Sequence, residues 1–234
     1  MDELALNAVI EDLYALYDGS QGIEVAVEAE RAGPIAHGWY TCVRRTGRAL
    51  QVLAMAGFEH EGAPLRRSMI EHALGLHWLA EANDSAVDAL RGGNQDTWKK
   101  IAGSMTGEWV VTPEDLNPVV TAEIPKSSES TYLAFKHLCD RYDEPDLYVA
   151  WLLATAHCHV TFASAMAYVE ADGTAARPRL LTEATHLQAT AGILATLLLL
   201  ASVGFNKILT GQPWTQRLDE LHERMGGAIN GGGQ

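Results

Sequence analysis

Two stretches of this chain, 147–169 and 187–206, contain no Asp, Glu, Lys or Arg. Each approaches the length of a bilayer-spanning helix, roughly 20 residues. The chain must therefore place both either in lipid or at the centre of a protein core. Polar side chains decide between these. The first stretch holds Thr155, His157, His159, Thr161 and Ser164 and is rich in alanine; the second holds Gln188, Thr190, Thr196 and Ser202. That mixture favours buried helices of a water-soluble bundle, since helices apolar on every side occur where a large bundle surrounds them. A membrane-associated helical hairpin is the alternative.

The hydrophobic period is helical almost throughout. Leu4, Leu6, Val9, Ile10, Leu13, Leu16 and Tyr17 line one side of a first helix that Gly19 ends. A second runs from about Ile23, is interrupted by "AGP" at 32–34, and resumes to Phe58, with Trp39, Val43, Leu50, Leu53 and Met55 among its core candidates. "EHEGAP" precedes an amphipathic helix over 65–82. A shorter helix capped by Asp84 or Ser85 heads for Ile101 and is expected to break at "RGG", 91–93. Residues 103–126 contain three prolines and no helical period, and read as a long irregular loop with a turn of helix at 113–117. Loops of this length in compact domains are often functional. Further helices are expected over 127–142, over 146–170, from a Thr182 cap through Leu209, and after Pro213. No strand pairing is evident. The expected fold is all-α: a single-domain bundle of six to eight helices over 1–225, followed by a flexible Gly-rich tail, 226–234.

A net charge of −13 argues against a broad DNA or anionic-membrane footprint. The three cysteines, Cys42, Cys139 and Cys158, are odd in number and far apart, which suits a reducing cytoplasm rather than a disulfide framework. The N-terminal "MDELALNAVIEDLYALY" is acidic and periodic, unlike a signal peptide. A helix as apolar as 187–206 must be covered on every side, and this points to a homodimer.

Metal chemistry lacks a pattern. Residues two apart on a helix point about 200° from each other, so His157 and His159 cannot share an ion from one helix. His72 and His77, five apart, fit no better, and no H-E-x-x-H occurs. No cofactor motif occurs either: G-x-S-x-G and glycine-rich phosphate loops are absent from the sequence. Cys158 beside two histidines on an apolar helix reads as an inert thiol.

A different set shares helical spacing. Tyr148, Leu152, Thr155 and His159 recur at four, three and four, while His157 faces away with Trp151. On the earlier helix Arg67 and Glu71 are four apart and can pair side by side, as a solvated surface pair or as part of a site.

"APLRRSMIEHALGLHWLAE" resembles the signature of an uncharacterised bacterial helical family, the domain-of-unknown-function group 5677. In that family a helix of the form R-s-x-x-E, here Arg67, Ser68 and Glu71, is followed by an apolar run. A later helix carries an aromatic, a small hydroxyl and then a histidine, here Tyr148, Thr155 and His159. The resemblance spans about Trp39 to Val169, with threonine where serine is commoner and Val160 where a small residue or proline is usual. It implies that Arg67, Glu71, Tyr148, Thr155 and His159 converge between two helices. There they would form either a polar network fixing helix register or a small site in which Arg67 holds an anion and His159 moves a proton. Catalytic roles would fall to His159, Arg67 and Glu71, and binding roles to Tyr148 and Thr155. A binding or accessory role in stress or phage defence is the function this implies. The competing reading is a metal-independent ribonuclease similar to the HEPN group, whose loose R-x4–6-H pattern matches Arg67…His72, Arg66…His72 and Arg179…His186. A small anionic ligand or RNA is the corresponding partner, although the acidity weakens the case for RNA.

Overall fold

A computed structural model describes residues 2–20, 23–105, 112–170, 179–184 and 190–230. The all-α expectation holds. Nine α-helical elements run through these residues: α1 (Glu3–Asp18), α2 (Gly33–Met55), α3 (Ala63–Ser104), α4 (Pro113–Val120), α5 (Phe135–Tyr142), α6 (Pro145–Cys158), α7 (Phe162–Met166), α8 (Thr190–Asn206) and α9 (Thr215–Asn230). Six of them are long. The count exceeds six to eight because α4, α5 and α7, of eight residues or fewer, occupy segments that read as loop or as parts of longer helices.

Helix α8 is the centre. It packs against α1, α2 and α3, and α9 closes the bundle against α1 and α8. Its apolar residues meet the others through rings: Tyr40 of α2 stacks on Phe205 at 4.6 Å, and the Tyr40 hydroxyl shares a 3.0 Å hydrogen bond with Ser202 Oγ. Burial pushes the Tyr40 phenol up to about 12. Gly204 permits the closest approach, because a Cβ there would lie 3.0 Å from the His77 backbone nitrogen and 2.9 Å from Leu76 Cβ. Among the described residues, no helix is long and apolar enough to cross a membrane.

Several boundaries differ from expectation, each for a local reason. Helix α3 passes straight through Arg91, Gly92 and Gly93; Gly93 is tolerated because Leu133 packs where its Cβ would stand, 2.9 Å away. The bend comes instead at Asn83, whose φ of 44° and ψ of −119° interrupt the helix. The apolar stretch 147–169 is not one helix. Thr161 opens a new one: its Oγ1 accepts from Ser164 N at 3.1 Å, while Ser164 Oγ accepts from Thr161 N at 3.2 Å. This reciprocal cap ends α6 at Cys158 and leaves His159–Thr161 extended. Nor is α6 a core helix, since Ala154 is its one buried residue.

A similar cap, Thr112 with Asp115, makes α4 two turns long inside the expected loop; residues 106–111 of that loop lie outside the described residues. Gln95 Nε2 ties α4 to α3 by donating to Val119 O and Ala122 O, at 3.1 and 2.7 Å. Met55 and Leu4, read as core, are exposed. One two-residue antiparallel ladder, β1 (Val169–Glu170) with β2 (Arg179–Leu180), was not anticipated. Thr182 caps nothing: 181–184 is irregular, α8 begins at Thr190, and the intervening 185–189, including His186, lie outside the described residues. Helix α9 continues through Gly226 and Gly227 to Asn230, where Ala228 O accepts the Asp2 N–H at 3.0 Å. Residues 226–230 of the expected tail are thus helical, and 231–234 lie outside the described residues.

Candidate functional site

Helix α6 lies across the first half of α3, and their contact brings Arg67, Glu71 and His159 together. Arg67 Nε donates to Glu71 Oε1 at 3.2 Å, and Arg67 Nη1 meets His159 Nε2 at 3.1 Å. A guanidinium can only donate, so Nε2 is the bare nitrogen of the imidazole and Nδ1 carries the hydrogen. His159 reaches Arg67 from the extended segment after α6 rather than from a helical stripe.

Trp151 completes the cluster. Its indole N–H donates to Glu71 Oε1 at 2.7 Å, and its ring lies 4.9 Å from the Arg67 guanidinium carbon. Trp151 was assigned to the opposite face, yet it stands three residues after Tyr148 and four before Thr155, which is the spacing of that stripe. Leu152, taken for the stripe instead, is exposed.

Tyr148 and Thr155 support the tryptophan instead of touching the ion pair. The Tyr148 ring stacks on Trp151 at 5.8 Å and 13°, and Phe135 stacks on it at 5.4 Å. Thr155 Oγ1 donates to Trp151 O at 2.7 Å, within its own helix. Five residues were expected to converge; three do so, and the other two act through Trp151.

The cluster is not buried. The side chains of Arg67 and Glu71 are 29% and 38% exposed, and His159 is exposed. Desolvation is therefore small, and the arrangement is a partly solvated ion pair fixed by an indole. Arg67 Nη2 has no hydrogen-bond partner among the described residues. The site thus keeps two unspent donors, Arg67 Nη2 and His159 Nδ1–H.

The remaining candidates separate from it. His157 turns away, edge-on to His60 at 4.8 Å, with a buried Nδ1 that has no hydrogen-bond partner among the described residues. Burial pushes the Cys158 thiol up, against the pull of Arg67 and Arg66, so it is no activated nucleophile. His72 Nδ1 donates to Ser68 O at 2.7 Å, one turn back in α3. Arg66 is 3% exposed; its Nη1 donates to Glu59 O at 2.7 Å, its Nε has no partner among the described residues, and burial lowers its pKa. Among the described residues no three His, Cys, Asp or Glu side chains converge as a metal site would require. Compared with known proteins, the sequence matches no family model, no curated protein and no solved structure.

Proposed function

We propose that this chain is a binding protein whose Arg67–Glu71–Trp151–His159 cluster receives a small oxyanion, a carboxylate or phosphate group. One observation carries the reading: the guanidinium is held on three sides while donors on Arg67 and His159 remain free. A pre-oriented arginine loses less freedom when it takes a planar or tetrahedral anion, and its fork suits both. Glu71 already offsets the arginine's charge, so weak, selective binding is expected rather than tight capture.

Acid–base catalysis has less support. The Nε2 of His159 that would accept a proton already accepts from Arg67, and His72 Nδ1 is committed to its own helix. The ribonuclease reading would need both released, and the charge of −13 opposes an RNA backbone. An accessory role in stress or phage defence in a bacterium accompanies the binding reading through the resemblance to group 5677. The cytoplasm as location is supported by three free cysteines.

The test is a titration with inorganic phosphate followed by the Trp151 indole N–H resonance. Saturable movement that disappears in Arg67→Met supports the reading. Movement that survives Arg67→Met, or none at all, overturns it. Incubation with a mixed RNA pool, with and without chelator, should give no cleavage.

A further inference from the structure

Glu71 also lines an open pocket of about 270 Å³. Its walls come from α2, α3, α5 and the turn of 3-10 helix at Ser128–Leu133. Four aromatic side chains line it: Trp39, Trp78, Tyr132 and Phe135. Glu71, His72 and Tyr132 are its titratable members, and no lysine or arginine lines it.

The walls are fixed. Trp78 is buried, and its indole N–H donates to Glu129 Oε2 at 2.7 Å; Arg141 holds the same oxygen at 2.7 Å. Phe135 is braced by its stack on Trp151. Trp39 lies over Gly75, where a Cβ would stand 3.0 Å from its Cζ3, and it meets the His72 ring edge-on at 5.8 Å. Arg141 stands over Tyr132 at 4.7 Å, but Glu129 and Glu81 already neutralise it.

The charged group on this lining, Glu71, is an acceptor and His72 offers a second, while the Tyr132 hydroxyl and the Trp39 indole N–H can donate. His72 spends its Nδ1–H on Ser68 O, which leaves Nε2 as a bare nitrogen. Glu71 Oε2 has no hydrogen-bond partner among the described residues, since Arg67 and Trp151 both use Oε1. Aromatic faces carry negative electrostatic potential and attract cations, more strongly where water is excluded. An anion here would meet Glu71 and the ring faces without a single side-chain cation. A neutral hydrocarbon would leave the two acceptors unused. The volume lies near the lower end of the range for ligand pockets, roughly 300–1,000 Å³, and so suits a small guest.

We propose that this pocket binds an alkylammonium ion, a methylated amine of about the size of choline. The rings surround the methyl groups, and Glu71, whose Oε2 is left unbonded by Arg67 and Trp151 among the described residues, adds a partial counter-charge. This site goes beyond the oxyanion reading and differs from it in ligand charge, although Glu71 forms part of both.

The experiment compares choline with its uncharged isostere 3,3-dimethyl-1-butanol, in NMR titrations of the tryptophan indole resonances, with sodium chloride as the ionic-strength control. Saturable shifts with choline, at least tenfold weaker with the isostere, are expected. Trp39→Leu, at a half-buried position, should weaken choline binding at least tenfold while circular dichroism stays unchanged. Arg67→Met should abolish phosphate binding and, by releasing Glu71 from its ion pair, leave choline binding no weaker, so the two proposals fail separately. Equal binding of both compounds, no saturation by choline, or undiminished choline binding in Trp39→Leu would each overturn the proposal.

Discussion

Trp151 donates its indole N–H to Glu71 Oε1 at 2.7 Å across 80 residues of sequence, and through that one oxygen it shares Glu71 with Arg67. The bond joins α6 to α3 at the point where both proposed sites meet. Trp151→Phe keeps the ring stack with Tyr148 and Phe135 but removes the donor. A hydrogen bond to a charged acceptor contributes about 1.5–3 kcal/mol when buried. With Glu71 partly exposed, the expected loss is about 1 kcal/mol by urea denaturation. Glu71→Gln retains an acceptor oxygen and should lose less. A larger loss in Glu71→Gln than in Trp151→Phe would show that the bond does not hold the helices together.

His77 makes stability depend on pH. Burial lowers its pKa from the ordinary 6.5, helped by Lys207 and opposed by the bond from Nε2 to Leu200 O at 2.8 Å. The unfolded chain then binds the proton more readily than the folded one. Stability is therefore full above about pH 6.5 and falls as pH drops through the lowered folded value. His77→Gln can still donate to Leu200 O but does not titrate. Denaturation midpoints followed downward from pH 7 should fall less steeply in the variant; parallel curves would refute the assignment.

Gly204 is where α8 sits nearest α3. Gly204→Ala should raise helix propensity by about 1 kcal/mol, yet the added methyl meets the His77 backbone nitrogen at 3.0 Å and Leu76 Cβ at 2.9 Å. Backbone cannot yield as a side chain can, and overpacking costs typically 1–3 kcal/mol. A net loss of about 1 kcal/mol or more in thermal or urea unfolding is expected, and a gain would contradict the tight contact.

For the homodimer expected from the sequence, we propose the outer face of α6 as the contact. Val149 and Leu153 are 52% and 53% exposed, and Leu152, Val160 and Phe162 lie open beside them. No charged residue occurs from Leu147 to Val169, so two chains of net charge −13 repel least across this strip. A homodimer through α6 should give twice the 25.4 kDa chain mass by light scattering at micromolar concentration. Val149→Glu with Leu153→Glu should return it to the monomer mass. A wild-type mass near 25.4 kDa would rule the dimer out.

Much of this architecture was legible in periodicity. Leu6, Ile10 and Leu13 lie on the buried side of α1, and the Arg67–Glu71 spacing anticipated their ion pair. What escaped was tertiary or local chemistry without a strong sequence mark. Thr161 and Ser164 form a cap lacking the usual acidic or amide partner, so the break after Cys158 looked like continuous helix. The charge-free 147–169 stretch suggested burial, but charge alone does not say whether an apolar face is covered. Trp151 has a mark in the sequence, because Tyr148, Trp151 and Thr155 keep three-and-four spacing, but Leu152 fits the same stripe and spacing alone does not separate the two. The aromatic cavity assembles from four separate segments and has no linear signature.

His159 is an acceptor held by Arg67, a poised binding partner rather than a proton shuttle. The most direct measurement is the tautomer of His159, read from its two ring nitrogens by long-range 1H–15N correlation at about pH 8, where an ordinary imidazole is neutral. The predicted result is hydrogen on Nδ1 and a bare Nε2, with both signals shifting toward rapid tautomer exchange in Arg67→Met. Hydrogen on Nε2 in the unaltered protein, or ring-nitrogen shifts that Arg67→Met leaves unchanged, would contradict it.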